Sequence, residues 1–448
     1  MKTVIMAGGR GTRIAELFPD IPKPLIPIKS GSGVVKPVLQ WEIESLRNQG
    51  FKDIILTVSH MHEKIEAYFG DGSKYGVHIQ YFVEAAPLGN AGALFKLRNQ
   101  LDAPFLLLNA DVIFEIDFNR FIAFHMKKKA ECGGLATIFT HPNNHPYDSG
   151  IVITDDYNCV TAWLTKEDKR SEYYKNRVNA GLHVIDPKIL DMAVERDKIN
   201  VELIGCLDEN GKIRRVDLDR QILKPICEKG VVFSYDSPEY VKDMGTPERY
   251  EQVSRDFFSG IVAAKNLKNR QKAIFLDRDG TINKYVGFLR DTEEFELIDG
   301  VAEAIKKINS SRYLAIVVTN QPVIARGEVT ASQLQKIHDK METLLGQEGA
   351  YIDALYYCPH HPHRGYEGEI TDLKIDCNCR KPKPGLLLRA AEDFNIDLNS
   401  SWIIGDGATD IKAGQNAGTH TVLIGTGEYG QNITTNSLLS AVEKILDK

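Results

Sequence analysis

The chain has 448 residues, is 43% hydrophobic and 26% charged, and carries a formal net charge of -6. That length exceeds one ordinary core and suits two domains, and the acidic balance argues against nucleic acid or an anionic membrane as the main partner. No apolar stretch reaches the ~18 residues of a membrane span and no signal-peptide pattern opens the chain, so a cytoplasmic location is expected.

Thr3-Val4-Ile5-Met6-Ala7 reads as a buried strand running into Gly8-Gly9-Arg10-Gly11-Thr12-Arg13, a loop where a phosphate can meet backbone N–H groups. A dinucleotide fingerprint would need a third glycine where Ile14 stands, and a Walker loop would need Lys-Ser/Thr in place of Thr12-Arg13. Pro22-Lys23-Pro24-Leu25 then sets a lysine on a stiff extended segment able to reach the same loop. A helix is expected over 38–49 and strands over 54–58 and 105–108, the alternation of a mostly parallel sheet between helices.

The segment 256–272 turns basic and polar (Lys265, Lys268, Arg270, Lys272) and is taken as a linker between domains at 1–255 and 273–448. The second half offers strands at 273–276, 314–319, 402–405 and 421–424 and helices at 301–308, 331–345 and 410–417, again doubly wound. Its first strand leads into Asp277-Arg278-Asp279-Gly280-Thr281, two carboxylates on one face of a turn, where one can attack phosphorus while the other handles the leaving-group proton.

Of the 7 cysteines, Cys132, Cys159, Cys206 and Cys227 lie scattered in apparent core or strand surroundings and are expected as reduced thiols. Cys358-Pro359-His360 and Cys377-Asn378-Cys379 supply three sulfurs and an imidazole in two close pairs, a structural zinc site by ligand count and softness. His361 is a substitute ligand and His363 a weaker one. Such a site would pin the loop 361–376 and present Arg380-Lys381 to a phosphate.

Residues 1–250 resemble the sugar-1-phosphate nucleotidyltransferases. The family's opening pattern is matched by Gly8-Gly9, Gly11-Thr12-Arg13 and Pro22-Lys23-Pro24-Leu25, its base-contacting segment by Pro87-Leu88-Gly89-Asn90-Ala91-Gly92, and its metal-bearing turn by Asn109-Ala110-Asp111. Asn179-Ala180-Gly181 is similar to its sugar-binding turn and Asp243-Met244-Gly245-Thr246-Pro247-Glu248 to its second metal position. The resemblance implies a Rossmann-like, GT-A-like domain in which a sugar 1-phosphate attacks the α-phosphate of a nucleoside triphosphate. It assigns the departing pyrophosphate to Arg13, the α-phosphate to Lys23, and Mg²⁺ to Asp111 with Asp243. Gly8, Gly9, Gly11, Thr12, Gly89 and Asn109 would hold the nucleotide, and Lys166, Asn179 and Gly181 the sugar phosphate. Thr165 stands where the family usually has Glu before that lysine.

Residues 273–425 resemble the haloacid dehalogenase-type phosphatases, through Asp277-Arg278-Asp279-Gly280-Thr281, Thr319-Asn320-Gln321, Arg380-Lys381-Pro382 and Gly405-Asp406-Gly407-Ala408-Thr409-Asp410. The resemblance implies a haloacid dehalogenase-like fold with a zinc loop, Asp277 as nucleophile and Asp279 as general acid and base. Thr319 and Lys381 would bind the transferring phosphoryl group, and Asp406 would complete a Mg²⁺ site with Asp277 and the Asp279 carbonyl. Ile324-Ala325-Arg326-Gly327 after Thr-Asn-Gln makes the heptose 1,7-bisphosphate 7-phosphatases the nearest branch and histidinol-phosphate phosphatases the rival. Asn320, Arg326 and Arg380 then join the phosphate-binding set. That branch commonly carries Lys after the motif Asp where Gly407 stands here, a contact Lys412 could replace.

The two resemblances are consecutive steps. They imply an α/β protein of two doubly wound domains that removes the 7-phosphate of heptose bisphosphate and then joins heptose 1-phosphate to GTP. GTP follows from family logic, because the adenylyl branch of heptose activation uses an unrelated fold. Two other readings stay open: a mannose-1-phosphate guanylyltransferase fused to a histidinol-phosphate-type phosphatase, and a first half serving as a nucleotide-sensing scaffold. Neither nucleic acid nor membrane is implied as partner, and self-association is compatible with the pattern.

Overall fold

Strand Thr3–Met6 is an unbroken apolar run because a central parallel strand is covered on both faces. The computed structural model describes residues 1–448 apart from Arg10, Thr12, Lys166 and the side chain of Asp148. By their contacts the described residues form two compact units, one of 1–140, 152–163 and 179–263, the other of 141–151, 164–178 and 264–448.

In the first unit, Thr3–Met6 pairs in parallel with Asp53–Val58 on one side and Phe105–Asn109 on the other, and His78–Val83 extends the parallel edge. Val178–Ile185 adds to Phe105–Asn109 in antiparallel sense, so the 9-stranded sheet is mixed. The period-2 alternation of strands divides its core: Val4 and Leu107 face one apolar cluster, Ile5, Leu106 and Leu108 the other. A separate ribbon pairs Val112–Glu115 with Tyr240–Asp243 and sets Asp243 opposite Val112. Helix Val38–Asn48 forms where the sequence predicts it.

The second unit holds a 6-stranded sheet, parallel throughout, in the order Ala354–Cys358, Tyr313–Asn320, Lys272–Leu276, Trp402–Gly405, His420–Ile424, Ile433–Thr435. The first strand in sequence lies inside the sheet with neighbours added on both sides, so a crevice opens at its carboxyl end, the switch point where such sheets bind ligands. Leu276 stands level with Val317 and Ile404, which makes Asp277, Thr319 and Asp406 emerge together. Helix Gly385–Phe394 forms just after Arg380-Lys381-Pro382, whereas strand Ala354–Cys358 and helix Leu438–Leu446 were not expected from the sequence pattern. Within this unit Arg177 donates to Glu342 (3.0 Å) and to the Asp353 carbonyl (3.2 Å), a buried ion pair anchoring the segment 164–178.

The stretch 256–272 contains the end of helix Pro247–Phe258, a short helix Ile261–Ala264, and the buried side chains of Lys265, Asn266 and Gln271. All 7 cysteines are free, but Cys132 and Cys206 are exposed, against the core surroundings expected of them. Cys132 ends helix Phe118–Cys132 on its solvent side, which a local apolar context cannot reveal. No described helix is long and apolar enough to cross a membrane.

Two candidate active sites and a candidate metal centre

Parallel strands that start together end together, so Met6 and Asn109 stand level and the loops after them share one cavity of about 340 Å³. Gly8, Gly9, Lys23, Glu84, Gly89, Asn90, Asn109 and Asp111 line it. Gly89 opens helix Gly89–Lys96, and the Ala91 N–H of its first turn donates to the Val216 carbonyl at 3.0 Å. The Lys23 ammonium pairs with the Asp111 carboxylate. Burial pushes the Glu84 carboxyl up, opposed by the Leu88 N–H that donates to its Oε2 at 3.2 Å.

Asp243 reaches the same end through the ribbon, and the Met244 N–H donates to the Asp111 carbonyl at 3.0 Å. Burial alone would raise the Asp243 carboxyl. Arg249, donating to both oxygens at 3.0 and 2.8 Å, and the Gly245 N–H outweigh it and hold the group below its ordinary value. Arg13 is exposed, with its guanidinium against Gly245, and Gly11 packs on the Lys23 side chain. Gly181 has a φ of +77° and a Cβ there would lie 2.5 Å from Asn109 Nδ2, so only glycine brings the Asn179–Gly181 turn this close. Thr12 and Lys166 lie outside the described residues.

The second cavity, of about 210 Å³, collects Asp277, Asp279, Thr319, Asn320, Arg380, Lys381 and Asp406 from four separate segments at or beyond the strand ends. Lys381 is buried, and its Nζ donates to the Val318 carbonyl (2.8 Å), to Asp277 (2.8 Å) and to Asp410 (2.5 Å). Burial opposes its charge, but Asp277 and Asp410 outweigh that and raise its pKa. Asp277 is pushed up to about 7 by burial and by Asp410, with Lys381 pulling the other way. Asn320 fixes the lysine backbone by accepting from Lys381 N (3.0 Å) and donating to its carbonyl (3.0 Å). Gly280 has a φ of +83° and a Cβ there would fall 2.0 Å from Asp406 Oδ2, so glycine in this turn lets Asp406 approach the nucleophile loop.

Three expectations need correction or completion. Asp410 joins Asp277 and Asp406, the three carboxylates coming within 4.8 Å of one another, while the Asp279 carboxylate, which the expected metal site does not use, accepts from Arg278, Asn283 and Gln321. Asp410 received no role from the sequence because it sits three residues into a helix, where its bond from the Gly407 N–H (3.2 Å) looks like ordinary capping. Arg326 is not among the cavity-lining residues: its guanidinium lies 4.1 Å from the Phe288 ring centre and 4.3 Å from that of Tyr366, and pairs with Glu328. Lys412 is exposed and does not line the cavity beside Gly407, since its helix turns it outward.

Cys358, His360, Cys377 and Cys379 place their donor atoms within 4.8 Å of one another. The sulfurs are 3.5, 3.3 and 3.2 Å apart and His360 Nδ1 is 3.2 Å from Cys379. Tetrahedral ligands at about 2.3 Å from a zinc ion stand roughly 3.8 Å apart, so this soft donor set fits the ion with small adjustment. His361 bonds the His363 carbonyl instead (3.1 Å). Arg380 donates to the His360 carbonyl at 3.2 Å, which ties the centre to the cavity wall.

Residues 2–258 match the family described as nucleotidyl transferase, and residues 378–441 that described as HAD-hydrolase-like. Over 159 residues the chain is 43% identical to the D-glycero-beta-D-manno-heptose-1,7-bisphosphate 7-phosphatase of Pasteurella multocida, covering 35% of this chain and 84% of that one. The protein of the same name from Escherichia coli strain K12 is 41% identical over 157 residues, 35% of this chain and 80% of that one. Among solved structures, HddC from Yersinia pseudotuberculosis is 24% identical, covers 57% of this chain and 99% of that one, and has a TM-score of 0.43.

Proposed function

The chain belongs to the nucleotidyl transferase family and, in its C-terminal part, to that of the heptose bisphosphate 7-phosphatases, and from this premise we propose a bifunctional enzyme acting in the cytoplasm on one sugar. Its C-terminal site hydrolyses the 7-phosphate of D-glycero-D-manno-heptose 1,7-bisphosphate. Its N-terminal site transfers GMP from GTP to the resulting heptose 1-phosphate and releases pyrophosphate. The observation that carries the first step is Lys381, buried between Asp277 and Asp410 at the cavity.

An Asp277 oxygen attacks phosphorus and the bond to the sugar oxygen breaks, with Asp279 giving that oxygen a proton. Asp279 then takes a proton from water, which displaces phosphate from Asp277. Lys381, Thr319, Asn320 and Arg380 hold the phosphoryl oxygens. In the N-terminal cavity an oxygen of heptose 1-phosphate attacks the α-phosphate. Lys23 turns from Asp111 to the α-phosphate, Arg13 meets the departing pyrophosphate, and the N–H groups of the Gly8–Gly9 loop hold the triphosphate.

Asp277, Asp406 and Asp410 at the second cavity, and Asp111 with Asp243 once Lys23 and Arg249 give way, would hold Mg²⁺, which would neutralise phosphate charge. The four ligands around Cys358 suit structural Zn²⁺. Guanine is supported by Glu84 in the cavity wall, since a carboxylate matches the adjacent N1–H and N2–H donors of that base and no other common base presents such a pair.

The test is incubation of the chain with heptose bisphosphate, Mg²⁺ and each nucleoside triphosphate, with the product identified by mass. GDP-heptose with phosphate and pyrophosphate is expected. Preference for another triphosphate rejects the guanine assignment, and absence of phosphate release rejects the first step.

A further inference from the structure

Asp219 stands near the start of a π-helical turn, Leu218–Leu223. Capping of that turn is done by Asp217, which accepts from the Arg220 N–H at 2.8 Å, so the turn does not need Asp219. The Asp219 carboxylate points instead at Asn179, whose Nδ2 is 3.4 and 3.3 Å from its two oxygens. Those contacts are long beside the roughly 2.9 Å of a good amide hydrogen bond, so both oxygens keep capacity for stronger donors.

Asp219 and Asn179 lie just beyond the residues that line the N-terminal cavity and are tied from two sides to residues that do line it. Asn179 Oδ1 accepts from the Gly181 N–H at 3.0 Å, and Gly181 packs on Asn109. The Leu218 N–H donates to Asn90 Oδ1 at 2.7 Å. Asn109 and Asn90 both line the cavity. Burial and then Asp217 push the Asp219 carboxyl up to about 7 against the pull of Asn179 and Arg220.

We propose that Asp219 is a specificity-determining residue for the sugar phosphate, its carboxylate accepting from hydroxyl groups of the sugar while Asn179 Nδ2 donates to one of them. The inference rests on the sugar-1-phosphate nucleotidyl transfer proposed above. A hydroxyl both donates and accepts, so a carboxylate beside an amide N–H reads a polyhydroxylated ring. The same carboxylate repels an anionic substituent at that place, which excludes uronic acid 1-phosphates.

The test is Asp219→Asn, which keeps shape and removes charge and acceptor strength, in the full chain. Expected is a rise in KM for heptose 1-phosphate of about 10–100-fold, the scale of losing a hydrogen bond to a charged group. The calorimetric Kd for GTP with Mg²⁺ should stay within about twofold, because the substitution spares nucleotide binding. A deoxy analogue lacking the recognised hydroxyl should lose affinity for the wild type and lose little more for Asp219→Asn. An unchanged KM, or a nucleotide Kd rising in parallel with KM, overturns the inference and leaves Asp219 structural. Should the wild type itself transfer no nucleotide to a sugar 1-phosphate, the parent reading falls and this one with it.

Discussion

Lys381 faces two carboxylates, and one cation cannot neutralise both Asp277 and Asp410 in a buried site. Burial first, and then the negative charge of Asp410 that Lys381 does not cancel, push Asp277 up to about 7, and the same excess of negative charge suits a divalent metal. Because that folded value lies above the carboxyl's ordinary 3.8, the group's contribution to stability is present below about pH 4 and is lost as pH rises through about 7. With divalent cations chelated, urea unfolding of the C-terminal unit should show this slope between pH 4 and 7, and Asp277→Asn should remove it. The same substitution should lower phosphatase turnover by at least about 10³-fold, as loss of a nucleophile does, with no effect on transfer to supplied heptose 1-phosphate. Loss of both activities would contradict the separate assignment of the two sites.

At the scale of elements, the loop between Cys358 and Cys379 has little apolar packing of its own around His363, Arg364 and Gly365, so its shape depends on the centre at its base. Arg380 and Lys381 follow directly from that base. Cys379→Ser should therefore release zinc to a colorimetric chelator and weaken phosphatase activity by about 10–100-fold, the usual cost of disturbing a metal's supporting groups. Nucleotidyl transfer should not change. Strand Val178–Ile185 carries a second dependence: His183 is buried among apolar neighbours and its pKa is lowered to about 4. The unfolded chain binds the proton more readily, so stability is present above about pH 6.5 and is lost as pH falls toward 4, by up to ~3 kcal/mol. His183→Leu should flatten the acid limb of the first unit's unfolding, followed by near-ultraviolet dichroism; an unaltered limb would place the acid sensitivity elsewhere.

For the molecule as a whole, the proposed reading makes the product of one site the acceptor of the other. Asp277→Asn and Asp111→Ala disable different steps, so either variant alone should make no nucleotide sugar from the bisphosphate. An equal mixture should restore GDP-heptose formation, because heptose 1-phosphate released by one chain is free to reach another. Failure of the mixture, with each single activity intact on its own substrate, would show that the intermediate does not pass through solution.

Much of the fold was legible in the residues because its signals are local. Apolar runs such as Thr3–Met6 and Lys272–Leu276, each followed by a loop of glycine and charge, are written contiguously, as are the two cysteine pairs. Strand Ala354–Cys358 escaped because its middle, Leu355-Tyr356-Tyr357, is only partly buried at a sheet edge and lacks a strong apolar signal. The surroundings of Arg326 were not legible because the rings of Phe288 and Tyr366 that engage it come from distant parts of the chain. By itself the sequence determined which chemical groups stand at the strand ends and hence the two reactions, since those groups adjoin the strands that carry them. Only the tertiary structure decided that Asp410 shares Lys381 with Asp277 and that Asp219 faces Asn179, because a carboxylate's partners are set by which loops converge in space and not by its neighbours along the chain.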